Sequence, residues 1–299
     1  MSHFSISDLE QLSGVKAHTI RMWEQRYNLL NPVRTATNIR TYCDDDLRRL
    51  LNVSTLCGRG QRISQVARLT DAEISAAVLA CRDDIHDYHL QVNALLAAML
   101  GFDEPGLNQL LDEAAHNLGF EQMMLSVAYP LLQRIGLMWL AGTVDVSQEH
   151  MLAHLLRQKI LAATDALPSV PATARRWVLF LPADELHELA LLFMNYALRA
   201  RGQHTLYLGQ NMPNSGLTDV GASYQPHGVV VVLTTQPERG RVAEYARDVQ
   251  ALFPGALLVL YGSLARQEGL VLPENCVSPP MMTDFLALVE MQKNQSVTA

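Results

Sequence analysis

Apolar positions change their spacing twice along the chain. Over residues 1–70 they fall in short helical runs. Ser7 is placed to N-cap residues 8–12, Gly14 breaks that run, and residues 16–27 form a second helix with Val15, Ile20 and Trp23 on its inward side. Pro32 stops regular helix, and residues 38–42 alternate as a strand does. Residues 44–56 restart a helix with acids in the first turn, where the helix dipole favours them. Residues 71–167 carry no strand pattern. Helical spacing recurs over 74–81, 89–100, 107–118, 122–140 and 148–167, punctuated by Gly101, Gly119 and Gly142, which predicts an antiparallel bundle. Pro130 falls inside one of these helices and is expected to kink it.

The stretch PSVPAT, residues 168–173, reads as a linker, and beyond it strands alternate with helices. Residues 177–181, 205–208, 229–233 and 257–260 are short apolar strands, and an amphipathic helix is expected over 185–201. Fully apolar strands joined by helices predict a parallel sheet covered on both faces, doubly wound and flavodoxin-like in order. The expected fold class is therefore multidomain, α and α/β. Its expected parts are a DNA-binding head over 1–75, a helical bundle over 76–167 and an α/β domain over 174–295.

Composition narrows the picture. The chain has 299 residues, 49% apolar and 18% charged, which describes an ordinary globular protein. No apolar run approaches the roughly 20 residues that span a bilayer, and the start MSHFSISDLE lacks a signal-peptide pattern. A cytoplasmic protein without a membrane partner is expected. Cys43, Cys57, Cys81 and Cys276 are scattered, without the close pairing of a thiolate metal site or a disulfide framework. Net charge is −7, yet residues 1–70 hold ten Lys/Arg against six acids, so this +4 segment precedes a −11 remainder. A basic head on an acidic body fits a DNA reader whose body must not cling to phosphate.

Within that head the second helix carries Lys16, His18, Thr19, Arg21, Arg26 and Tyr27, which suits a helix lying in the major groove. The segment from Pro32 to Tyr42 places Arg34 and Arg40 around a tight turn, as a wing offers cations to the phosphate backbone, and Tyr42 is expected with them on the DNA-facing surface. Helix, turn and wing make a winged helix-turn-helix. The string HTIRMWEQRYNLLNPVRTATNIRTY, with Thr19-Ile-Arg21-Met-Trp23-Glu24 at its centre, closely resembles the MerR family of transcription regulators. The resemblance covers about the first 70 residues and implies a double-stranded DNA operator as partner. Regulators of this kind pair half-sites about one helical turn apart, so a homodimer or tetramer is expected.

Ligands of open parallel sheets sit beyond the carboxyl ends of the strands. The first such end reads Pro182-Ala-Asp-Glu185-Leu-His187-Glu-Leu-Ala190. His187, expected in the first helical turn, would there be kept neutral, and Glu185 could hold its second nitrogen. A lone histidine at a helix start is more often a capping residue. Glu185-x-His187-x-x-Ala190 is, however, similar to the D/E-x-H-x-x-G motif of cobalamin-binding domains, whose histidine is the lower axial ligand of cobalt. The segment GQHTLYLGQNMP, residues 202–213, looks like that family's second strand and loop. Trp139 followed after nine residues by Glu149-His150 resembles the W-x9-EH motif of light-sensing, adenosylcobalamin-dependent regulators of the CarH/LitR type, where these residues surround the upper corrin face. The resemblance thus implies metal ligation by His187 and cofactor contacts from Trp139, Glu149, His150, Glu185, Ala190, Thr234, Thr235 and Gly262.

Some positions depart from the pattern. Ala190 replaces the family glycine, adding a methyl where the nucleotide tail packs, and Tyr261-Gly262 replaces Gly-Gly after the fourth strand. Thr234 or Thr235 stands where the family has a hydroxyl, and Leu140 where some photosensors have a histidine. Three readings stay open: a cobalamin-sensing regulator, a regulator that keeps the fold without the cofactor, and a corrinoid enzyme. Nothing in the last needs a winged helix, and the chain shows no phosphate loop or catalytic triad.

Overall fold

A computed structural model of the chain describes residues 4–35, 38–80, 88–140, 144–171 and 173–295. The expected helix end at Cys81 and the break at Gly142 lie outside the described residues. The chain forms two compact units, Met1–Leu155 and Leu156–Ala299. Among the described residues no helix is long and apolar enough to cross a membrane.

The first unit opens with α1 (Ile6–Ser13) and α2 (Ala17–Tyr27), then the hairpin β1 (Val33–Arg34) and β2 (Arg40–Thr41). The N-cap of α1 is Ser5 rather than the expected Ser7. Ser5 Oγ accepts from the Asp8 amide at 3.2 Å while Asp8 Oδ2 accepts from the Ser5 amide at 2.7 Å, a reciprocal capping box. Glu10, the acid that Ser7 would need, is drawn instead to the start of α2, where it accepts from the Ala17 amide at 3.1 Å. Gly14 closes α1 at φ +74°, the left-handed cap that lets the chain turn sharply into α2. The wing is antiparallel, with Val33 opposite Thr41 and Arg34 opposite Arg40. Tyr42 bridges back to Phe4, and both side chains are fully buried.

Helices α3 (Asp44–Gly58), α4 (Ile63–Val66), α5 (Asp71–Ala80), α6 (Tyr88–Leu100) and α7 (Glu104–Leu118) follow. Next come α8 (Phe120–Met123), a π-helical turn (Met124–Ala128), α9 (Tyr129–Leu140) and α10 (Val146–Asp165), whose later turns belong to the second unit. The disturbance expected at Pro130 takes the form of that π turn. A proline ring has no N–H and crowds the carbonyl four residues back, so the turn before it widens and the Tyr129 amide bonds to Met124 O. The four-residue α4 has too little periodicity to show in the sequence.

The second unit contains β3 (Arg176–Pro182), α11 (Leu189–Ala200), β4 (His204–Met212), a 3-10 turn (Asn214–Gly216) and α12 (Thr218–Tyr224). It continues with β5 (Gly228–Val232), α13 (Val242–Leu252), β6 (Leu257–Tyr261), the short β7 (Cys276–Val277) and α14 (Met282–Gln295). The strands form a five-stranded parallel sheet in the order β4-β3-β5-β6-β7, the flavodoxin-like arrangement that the alternation of apolar strands and helices predicts. Val178, Phe180, Val229, Val231, Leu258 and Leu260 are buried against Val242, Ala246, Val249 and Phe253. Each Val, Leu and Phe side chain among them contributes roughly 1.5–3 kcal/mol by leaving water. The two-residue β7 is too brief to be legible from pattern alone.

At the carboxyl ends of the middle strands the chain comes so close to itself that one residue must be glycine. Gly262 has φ +114°, and a Cβ there would lie 2.4 Å from Leu233 O. Gly262→Ala is expected to lower unfolding stability by about 2–4 kcal/mol in urea denaturation, because conformational strain and a backbone clash add. Gly269→Ala, at φ +77° in open space, is expected to cost only about 1 kcal/mol. Equal losses for the two variants would contradict this account.

Candidate functional site

In the head, α2 buries Ile20 and Trp23 and turns Lys16, His18, Arg21 and Arg26 to solvent, with Thr19 and Tyr27 half-buried beside them. The Lys16–Glu10 ion pair, 3.1 Å long with the lysine side chain 72% exposed, adds little stability and leaves the cation at the surface. Arg34 is exposed on the wing and donates to Asn38 Oδ1 at 2.6 Å. Two residues expected on the DNA-facing surface are placed otherwise. Tyr42 is fully buried, and its hydroxyl donates to Glu24 Oε2 at 3.0 Å. Burial, then the neighbouring carboxylate, pushes that phenol well above its ordinary value. Arg40 is half-buried and donates from Nε to Glu24 Oε1 at 3.0 Å. Glu24 on α2 thus grips both ends of β2, so Arg40 and Tyr42 seat the wing. The sequence motif contains Glu24, but its two partners lie 16 and 18 residues away.

The bundle presents a second constellation. Trp139, on α9, is 52% exposed, while its neighbour Met138 is buried. Helix α10 starts at a fixed place, since Gln148 is buried and donates to Leu100 O at 3.1 Å while accepting from the Asp145 amide at 3.1 Å. That start puts Glu149 half-buried and His150 exposed in the first turn. His154, one turn on and unnoticed in the sequence, meets His150 edge-on with ring centroids 6.1 Å apart.

The densest polar site lies beyond the carboxyl ends of β3 and β5. Glu185 has no exposed surface. Its Oε1 accepts from the Leu186 and His187 amides at 3.0 and 3.1 Å and bonds His187 Nδ1 at 2.6 Å. Its Oε2 accepts from the amides of Thr234, Thr235 and Gln236 at 3.0, 2.6 and 3.1 Å and from the Thr235 hydroxyl at 3.1 Å. Burial opposes ionisation of this carboxyl most strongly, but the donors from His187, Thr235 and Gln236 together outweigh it. The group is held far below the ordinary carboxylate range, so it is an anion. An anionic acceptor at Nδ1 favours the tautomer with its proton there, which leaves Nε2 as the lone-pair nitrogen whenever the ring is neutral.

The expected helix over 185–201 starts later, at Leu189, so His187 sits in the preceding loop and not in the first helical turn. The cause is the inward plunge of Glu185, which takes residues 183–188 off the helical path. The end of β4 clamps that loop. Asn211 Oδ1 accepts from the Asp184 amide at 2.9 Å, and Gln210 donates to Leu186 O at 2.8 Å. Glu188 closes the loop, bonded by Arg157 and by the Tyr207 hydroxyl. The His187 side chain is 58% exposed. Ala190 is half-buried in the first turn of α11, and Tyr261 is half-buried at the end of β6. Thr235 spends its hydroxyl on Glu185, and the Thr234 carbonyl accepts from Ser263.

Among the described residues no group of three or more His, Cys, Asp or Glu is arranged to hold a metal ion. The loop after β3 presents one oriented imidazole nitrogen, a donor set that suits a metal arriving with its other ligands. A corrin-bound cobalt has that requirement, and the residues present fit it at the cobalt end.

Residues 4–73 match the MerR HTH family regulatory protein model, and residues 91–163 match the B12 binding domain. The HTH-type transcriptional repressor CarH of Myxococcus xanthus is 31% identical over 221 residues, covering 72% of this chain and 73% of the relative. The HTH-type transcriptional repressor CarA of the same organism is 26% identical over 270 residues, covering 89% and 88%. Among solved structures, the Methanosarcina barkeri monomethylamine corrinoid protein superposes with a TM-score of 0.55 at 14% identity, covering 66% of this chain and 95% of its own, which shows a shared fold. A MerR-type head joined to a B12-binding region defines a class, the DNA-binding transcription regulators with a cobalamin sensor. Within that class the chain belongs to the CarH family.

The Glu185 anion makes the α/β unit acid-sensitive. Because its folded pKa is depressed, its contribution is complete above the ordinary value of 4.5 and is lost as pH falls below it. Glu185→Gln is expected to lower stability at pH 7 by roughly 3 kcal/mol, since an amide cannot accept from all these donors. The variant should also show a shallower loss between about pH 5 and pH 3 than the wild type. Parallel stability–pH curves for the two proteins would contradict the assignment.

Proposed function

We propose that the chain is a cytoplasmic regulator, not an enzyme, that binds an operator through residues 1–75 and senses adenosylcobalamin through residues 76–167 and 174–295. The observation that carries the cofactor assignment is His187, oriented by a buried anionic carboxylate at the strand ends where open sheets take ligands. In this reading His187 Nε2 would hold the cobalt of the bound cofactor, while Glu185 fixes the ring and raises its basicity. In the same reading Trp139, Glu149 and His150 contribute cofactor contacts, the exposed indole of Trp139 offering an apolar surface. Cobalamin, when bound, would supply a cobalt centre able to exchange a ligand. Thr234 and Gly262 border the region of the nucleotide tail, where Ala190 and Tyr261 narrow the fit.

Operator contacts fall to Lys16, His18, Thr19, Arg21, Arg26 and Tyr27 on α2 and to Arg34 on the wing. One such head reads only a few base pairs, so the active form is a homodimer or tetramer that pairs half-sites. A preference of the cofactor for one arrangement of heads by about 1–3 kcal/mol is enough to switch DNA affinity.

Two measurements test this. Wild type incubated in the dark with adenosylcobalamin and desalted is expected to retain a corrin spectrum. His187→Ala should lose the axial-nitrogen shift while still binding DNA. A colourless wild type would leave a regulator that keeps the fold without the cofactor. Arg21→Ala is expected to weaken duplex binding at least about tenfold in gel shifts, and wild-type affinity should fall steeply with added salt as counterions are released. Unchanged affinity for Arg21→Ala at every salt concentration would remove α2 from the interface.

A further inference from the structure

Inside the first unit a polar chain runs from α9 to the turn that launches α2. Asn93, on α6, is fully buried among Val92, Ala94, Leu95 and Leu96. Its Oδ1 accepts from Arg134 Nη1 at 2.5 Å, and its Nδ2 donates to Ser13 O at 3.3 Å and to Ser54 Oγ at 3.2 Å. Both N–H groups and the carbonyl oxygen of the amide head are thus in use, on three different helices besides its own. Ser13 O is one of the carbonyls that a helix end leaves without a partner of its own. Arg134 reaches the same turn by a second route. Its Nη2 bonds His89 Nε2 at 3.1 Å, and the His89 ring lies so close on Gly14 that an added Cβ there would be 2.8 Å from His89 Cε1.

Both routes end on Ser13 and Gly14, three residues before α2 begins. The next two amide anchors are the Val15 amide on Ser13 Oγ at 3.1 Å and the Ala17 amide on Glu10 Oε2 at 3.1 Å. An apolar residue at 93 would fill the space with no cost of desolvation but would specify no geometry. Burial pulls the Arg134 pKa below its ordinary value, as expected of a cation held by neutral partners. Arg134 also sits on the helix that carries Trp139, about one and a half turns away.

We infer that Arg134 and Asn93 are positioning residues for DNA recognition, tying the α1–α2 turn to the helix that bears Trp139. They touch neither DNA nor cofactor. They transmit a displacement of α9 to the entry of α2, and this use of the link rests on the sensing role proposed above.

The test uses the full chain, a duplex selected from a random pool by the wild type, and adenosylcobalamin. Arg134→Gln is expected to speed amide exchange at Val15 and Ala17 about tenfold while leaving the middle of α10 unchanged. It should retain the corrin spectrum, and the ratio of duplex affinities with and without adenosylcobalamin should fall toward one from a wild-type value in the usual 5–150-fold range of allosteric coupling, about tenfold. Arg134→Lys, which keeps a donor for Asn93, should restore part of that ratio. Wild-type exchange at Val15 and Ala17 in both Arg134→Gln and Asn93→Leu would overturn the link. If Asn93→Leu does not fold, Arg134→Gln alone decides. A wild type that binds cofactor and duplex without any ratio between the two states sinks the sensing role instead, and the exchange rates still settle whether the link holds the turn.

Discussion

A carboxylate sealed from water must collect donors from whatever lies around it, and Glu185 imposes that demand on the whole upper edge of the α/β unit. Its seven hydrogen bonds come from the loop after β3 and the loop after β5. Those loops meet only because the sheet order makes β3 and β5 neighbours. The start of α11 is delayed to Leu189, the His187 ring is pinned, and the amides after β5 are turned inward. The net stabilisation from so buried an ion is modest, since desolvation offsets much of the attraction. Its effect is geometric. The loops have one arrangement that satisfies the charge, and that arrangement aims a histidine.

The same division of labour recurs in the first unit. Leucine, valine and methionine packing supplies the cohesion of the bundle, while single polar groups decide how its parts are set. Glu24 holds the wing through Arg40 and Tyr42, and Asn93 joins four helices at one buried amide. Apolar contacts tolerate small slides of one helix on another. A hydrogen bond at 3 Å loses most of its value over the same slide. A regulator benefits from having both, a cohesive body and a few directional ties that register a small displacement.

Much of this was legible in the sequence where the cause is local. The recognition helix, the wing, the order of the strands and the Glu185–His187 pairing follow from period, turn residues and a spacing of two. Tyr42 shows the opposite case. Its place in a wing motif pointed to the DNA surface, but its backbone bridges to Phe4, its ring is buried and its hydroxyl is taken by Glu24. His154 carried no signal at all, because an exposed histidine acquires meaning only from the ring beside it.

By itself, then, the sequence determined the longer helices and the main strands, and that a basic head precedes an acidic remainder. Those properties depend on neighbours a few residues apart, through backbone hydrogen bonding and the alternation of buried and exposed positions. Only the tertiary structure decided where the buried polar groups find their partners. Glu185 meets Thr235 across 50 residues and Asn93 meets Ser13 across 80. Such pairings leave no periodic trace, since each is fixed by the packing of elements that must already be in place before donor and acceptor can meet.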